Sequence, residues 1–222
     1  MARMAVDDAA EQLGVSPRRV RQMLADGVLR GERIGHSWII DTEAIEVVGA
    51  RRPGVGRPWS RRSAWALLAV AGGAGDEAQP VERARAKRRL AEVGLVGLVG
   101  RLAARAVSRR YYAHPAVLEE LGRDPGVVLG GVSAARSYGA DILAIGMFEA
   151  YVRASVVGSL EERYALDADA DRPNVILRVV ADDDWPFAEN ARVAPAQVVA
   201  VDLLEAADER SRRAGVELAG RL

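Results

Sequence analysis

Residues 5–46 read AVDDAAEQLGVSPRRVRQMLADGVLRGERIGHSWIIDTEAIE. Val6, Ala9, Ala10 and Leu13 recur at the i, i+3, i+4, i+7 spacing of one helix face, which predicts a short amphipathic helix. Gly14 and Val15 interrupt it. Ser16 is a good N-cap, and Pro17 takes the first helical position, where its missing N–H costs nothing. A second helix is predicted from there to about Asp26, with Gly27 as its left-handed stop. Two short helices joined by a tight glycine-containing turn form the helix-turn-helix pattern. Val28 and Leu29, then residues 32–34, a Gly35-His36 turn and residues 37–40 read as a short hairpin. Asp41 or Thr42 can cap a third helix over residues 43–48. This order predicts a winged helix-turn-helix in residues 1–50.

The second helix carries the chemistry. With Val20 at zero and about 100° per residue, Leu24 falls near 40° and Met23 near 300°. The buried face is therefore expected around Val20. Arg18 at about 160°, Gln22 at about 200° and Ala25 at about 140° lie opposite, flanked by Arg21 at about 100° and Arg19 at about 260°. Arginine pairs bidentately with guanine O6 and N7, and glutamine with adenine N6 and N7. Flanking arginines neutralise phosphates and set register. The helix N-terminus at Ser16 adds phosphate donors. A solvated basic face would carry the same charge, but the tight turn, the cap and the hairpin around it favour DNA. In the hairpin, Arg30, Arg33, His36 and Ser37 are candidate wing contacts, and Trp38 is expected mainly in the core.

The AAEQLGVSPRRVRQ run, the Asp26-Gly27 step, the hairpin around Ile34, Gly35, His36, Ser37 and Trp38, and the acidic segment that follows resemble the excisionase-type, MerR-related winged helix-turn-helix. The resemblance implies that the SPRRVRQ helix enters the major groove and that the hairpin is the wing. The contacts it implies are Ser16, Arg18, Arg19, Arg21, Gln22, Arg33, His36 and Ser37.

Residues 51–60 follow as a basic linker rich in glycine and proline. The remainder, 61–222, alternates predicted helices and strands. Helices are expected over 60–72, 81–92, 95–107, 114–122, 133–138 and 155–166, with two more over 195–222 split near Asp208. Strands are expected over 109–113, 127–129, 142–145, 148–152 and 174–180. The fold class expected is α+β: a winged helix-turn-helix followed by a larger mixed α/β domain. The pieces RPWSRRSAWALL, AHPAVLEEL, VVLGGVSAARSYGADI, EAYVR, NVILRVV and APAQVVAVDLLEAADERSRRAGVELAGRL, in this order, resemble the AbiEi-like antitoxins of type IV toxin–antitoxin systems. That resemblance implies an autorepressor whose partner is a nucleotidyltransferase-like toxin.

Composition narrows the chemistry. The 222 residues are half apolar and contain no cysteine. Disulfides, thiol catalysis and cysteine metal sites are therefore excluded. The two histidines, His36 and His114, are far apart in sequence. The net charge of zero conceals a front half, residues 1–110, of +8 and a back half of −8. A polyanion-facing front end fits this asymmetry, as does attraction between the halves. Arg83, Arg85, Lys87, Arg88, Arg89, Arg101, Arg105, Arg109 and Arg110 form a basic block that extends a DNA footprint or pairs with the acidic half.

Catalytic patterns fall short. Gly130-Gly131 with Asp141 resembles the glycine-and-acid pattern of nucleotidyltransferases, but the second acid is missing two residues on. Asp167, Asp169 and Asp171 begin a calcium loop that lacks its glycine and its final glutamate. Asp182, Asp183 and Asp184 read as a solvated turn. Ser133 lacks the last glycine of a nucleophile elbow, and His114 reads as a helix-start residue. No enzyme activity, cofactor or metal is expected. No segment approaches the roughly 20 apolar residues of a membrane span, and residues 1–11 do not read as a signal peptide. A cytoplasmic regulator is expected that binds double-stranded DNA, including its own promoter region, with a homodimer and a toxin as further partners. An excisionase-like recombination factor and a ligand-sensing regulator are the alternative readings.

Overall fold

The computed structural model describes residues 3–13, 16–25, 29, 31–34, 37–41, 58–74, 79–140, 142 and 146–222. The chain divides into two compact units, 1–55 and 56–222. It is a mixed helix-and-strand protein. Among the described residues no helix is long and apolar enough to cross a membrane.

The first unit contains β1 (Arg3–Ala5), α1 (Val6–Leu13), α2 (Pro17–Ala25), β2 (Gly31–Ile34) and β3 (Ser37–Asp41). The strands form an antiparallel sheet in the order β1-β3-β2. The Ala5 N–H donates to Asp8 Oδ2 at 3.4 Å. Asp7 and Asp8 in the first turn of α1 also suit the positive end of the helix dipole. Val6, Ala9 and Ala10 of α1 meet Val20 and Leu24 of α2, Leu29 and Ile40 in one small core, with Met4, Met23 and Trp38 packed on it. A Cβ on Gly31 would lie 2.8 Å from Leu24 Cδ2 and 3.0 Å from the Ile39 carbonyl, so glycine lets β2 approach α2 closely. β1 was not expected from the sequence. The predicted helix over 43–48 lies outside the described residues, and of the linker only residues 58–60 are described.

The second unit begins with α3 (Arg61–Ala71), whose Ser60 side chain caps the Ser63 N–H at 3.3 Å. Its residues Ala64, Trp65, Leu67 and Leu68 are buried at helical spacing. Next comes α4 (Pro80–Leu98), broken at Gly94, where φ is 70°. The helix expected over 95–107 stops at Leu98. The chain then turns through 3-10 segments at Val99–Arg101 and Ala103–Arg105 into β4 (Val107–Tyr111). α5 (Leu118–Arg123), β5 (Val127–Leu129), α6 (Gly131–Ala134), β6 (Phe148–Arg153), α7 (Val157–Arg163), β7 (Val175–Val180), α8 (Ala196–Leu204) and α9 (Glu209–Ala219) follow. Of the strand expected over 142–145, residues 143–145 lie outside the described set.

The sheet order is β4-β7-β6-β5. β6 and β7 run parallel, and the two outer pairs are antiparallel. A parallel pair needs a crossover, which α7 supplies. Side chains alternate across the sheet. Phe148, Ala150 and Val152 of β6 and Val175, Leu177 and Val179 of β7 join Leu121 of α5 and Val157 and Leu160 of α7 on one face. On the other face Val128, Tyr151 and Val180 join side chains of α3, α6, α8 and α9. With helices on both sides, β6 is buried along almost its whole length.

Candidate nucleic-acid interface and a buried charge cluster

On α2, Val20 is fully buried and Leu24 nearly so, while Arg18, Arg21 and Gln22 are exposed together with Ser16 just before the helix. The Val20 N–H donates to the Ser16 carbonyl at 3.2 Å, so helical bonding starts at Ser16. At the other end the Leu29 N–H donates to the Met23 carbonyl at 3.0 Å. One helix face thus presents two guanidinium groups and a carboxamide outward, held by a core on the opposite face. Arg33 is exposed on β2, opposite Trp38 of β3. Ser37 opens β3 opposite Ile34, and Arg19 lies on α2; the side chains of both fall outside the described set. His36 and Arg30 also lie outside the described residues.

The side chains of the basic block of residues 83–110 have different surroundings. Arg89 stacks on the Trp59 ring at 4.3 Å. Arg88 pairs with Glu92 at 3.8 Å, and Arg109 with Glu161 at 3.7 Å. Arg105 is 1% exposed and belongs to a cluster that sequence reasoning missed.

That cluster is built on the helix-covered face shared by β6, β7 and α8. Arg105 donates from Nη1 and Nη2 to both oxygens of Glu205 at 2.6 and 2.7 Å, and from Nη2 to Asp202 Oδ1 at 2.7 Å. Its Nε donates to the Tyr151 hydroxyl at 3.1 Å, and that hydroxyl donates to Asp202 Oδ1 at 2.6 Å. Asp202 Oδ2 accepts from the Gly131 N–H at 3.0 Å. Arg178 of β7 donates to Glu205 at 3.0 Å and lies 3.2 Å from Asp202 and 3.5 Å from Glu149. Trp65, Tyr151 and Phe187 pack edge to face with centroids 5.2 to 5.9 Å apart, and Trp65 Nε1 donates to the Arg105 carbonyl at 3.1 Å. The aromatic rings pack around Tyr151 and cover its side of the cluster.

Two guanidinium groups thus face three carboxylates, and the acids divide by environment. Burial works against the charge on Glu205, but the guanidinium groups of Arg105 and Arg178 outweigh it and hold its pKa below the usual carboxylate range. For Glu149, burial dominates over the pull of Arg178, and its carboxyl is pushed up. Burial raises the Tyr151 phenol in the same way. Glu149 Oε2 and Arg178 Nε are buried without a hydrogen bond. Among the described residues no group of three or more His, Cys, Asp or Glu is placed to hold a metal ion.

A raised pKa means that folded Glu149 binds its proton more tightly than the unfolded chain does. Its stabilising contribution is full below the unfolded glutamate value and is lost as pH rises through the folded one. Glu149→Gln, which keeps the shape but cannot ionise, should therefore raise stability at neutral pH. Urea denaturation over a pH series should show the advantage shrink as the pH falls. A variant less stable than the parent at every pH would contradict the assignment.

The other patterns resolve locally. His114 Nδ1 accepts the Ala116 N–H at 3.2 Å and caps the Pro115–Val117 turn. Ser133 Oγ accepts the Glu149 N–H at 2.9 Å. Asp182 accepts from the Ser155 side chain and backbone in an exposed turn. Asp167 Oδ1 accepts the Asp169 N–H at 2.9 Å. Asp141 lies outside the described residues; the acids against the Gly130-Gly131 step are Asp202, on α8, and Glu149, on β6. No family model, curated protein or solved structure matches the chain.

Proposed function

We propose that this chain is a sequence-specific DNA-binding transcriptional regulator, an autorepressor at its own promoter region. The observation that carries this reading is the outward face of α2, where Arg18, Arg21 and Gln22 are exposed opposite the buried Val20 and Leu24. Two helices, α1 and α2, with three residues between them in sequence, and an antiparallel strand pair with Arg33 exposed support a winged helix-turn-helix docking mode, with α2 in the major groove. Arg18 and Gln22 read base edges, and Arg21 holds phosphate. Unit 56–222 then supplies contacts to a second copy and to a nucleotidyltransferase-like toxin. This part of the proposal is supported by the order of sequence pieces that resembles type IV antitoxins.

Fluorescence anisotropy of the full chain against its own upstream DNA, with scrambled competitor and several salt concentrations, tests the reading. A preference of about 10³-fold or more for the upstream DNA is expected. Arg18→Ala and Gln22→Ala should each lose about 1–3 kcal/mol on the best site and relax its specificity. Arg21→Ala should weaken binding to all sequences and lower the salt slope by about one. Equal binding of both DNAs, unchanged by any of the three substitutions, would remove the proposal.

A further inference from the structure

The second unit has a cleft of about 570 Å³ between α5, β5, α6 and the start of β6. Ligand sites in proteins span about 300–1,000 Å³ and combine apolar walls with a few placed polar groups. Here the floor is apolar: Leu118, Leu129, Ile142 and Phe148 line it. Two polar side chains, Ser133 and Arg136, sit three residues apart on the segment formed by α6 and the 3-10 turn after it, so both reach the same side.

We propose that this cleft binds a small amphipathic carboxylic acid, with its apolar body on the floor and its carboxylate on Arg136 and Ser133. Ser133 Oγ is held in place because it accepts the Glu149 N–H at 2.9 Å. Its own hydroxyl proton meets no acceptor among the described residues, and the exposed Arg136 guanidinium meets no acid among them. A hydroxyl donor and a guanidinium beside apolar side chains match the two halves of a monocarboxylate. The remaining charges among the described lining residues, Glu119 and Arg123, bond to each other. An amine would find no unpaired acid among the described lining residues, and a fully apolar guest would leave both donors unmatched. The site is independent of the DNA-binding reading and stands or falls separately from it.

Isothermal titration of the full chain with octanoate, 1-octanol and octylamine tests the inference. Octanoate should bind saturably at one site, and 1-octanol should bind at least about tenfold more weakly, as loss of a charge-assisted bond requires. Arg136→Gln, a surface change that leaves the fold intact by circular dichroism, should weaken octanoate about tenfold and leave 1-octanol unchanged. Absence of octanoate binding, equal binding of 1-octanol or octylamine, or undiminished binding by Arg136→Gln would each overturn it.

Discussion

Asp202→Ala is expected to destabilise the second unit by about 3–5 kcal/mol, the range for breaking a buried ion pair on one side. A domain of this size is stable by only about 5–15 kcal/mol in all. Asp202 lies at the centre of the cluster with a side chain that exposes no surface. Its two oxygens serve Arg105, Tyr151 and the Gly131 N–H, and Arg178 lies 3.2 Å away. Alanine leaves Arg105 with Glu205, and Arg178 with Glu205 and the more distant Glu149, takes the acceptor from the Tyr151 hydroxyl proton and opens a void. Urea denaturation should show a large fall in midpoint at unchanged slope. Arg123→Ala, which breaks the exposed Glu119–Arg123 pair, should barely move it. Similar small shifts for both variants would show that the cluster is not the stabilising centre described here.

Gly131→Ala should cost about 2–5 kcal/mol, from two separable causes. Gly131 has φ of 45°, where a side chain costs roughly 1–2 kcal/mol. Its Cβ would also fall 1.8 Å from Glu149 Oε2 and 3.2 Å from Glu149 Cβ, and overpacking adds about 1–3 kcal/mol. The clash with the carboxylate vanishes in a Glu149→Ala background; the backbone term remains, beside a 3.2 Å contact with the retained Cβ that a shift of a few tenths of an ångström relieves. The same substitution should therefore cost only about 1–2 kcal/mol there. An equal cost in both backgrounds would mean that Glu149 is not what Gly131 makes room for.

The sequence shows these features unevenly. α2 is legible because Val20 and Leu24 repeat at helical spacing, and the structure buries both. β1 is not, because three residues, Arg3–Ala5, offer no pattern of their own and are recruited by pairing with β3. The end of α4 is hidden by the run Leu95, Val96, Gly97, Leu98, Val99, whose apolar spacing continues past the point where the chain turns. The buried cluster is the largest omission. In β6, Glu149 and Tyr151 alternate with apolar residues, as Arg178 does in β7, and alternation of that kind ordinarily marks a solvated face. Only the covering helices reverse that meaning. The available signal was Asp202, one acid inside the apolar stretch of α8 over residues 196–204.

The joining of Arg105 to Glu205 across a hundred residues also sets an order of events during synthesis. Chains leave the ribosome N-terminal end first. Unit 1–55 draws its core from neighbouring segments, so it can close while the rest is still being made. In the second unit Arg105 and Arg178 emerge well before the acids of α8 that neutralise them. Burying those two guanidinium groups early would leave charge uncompensated, so the sheet stays hydrated on that face until residue 205 is out. The core of the first unit can therefore close ahead of an open second unit, whose charge cluster is complete only once α8 and Glu205 have been made.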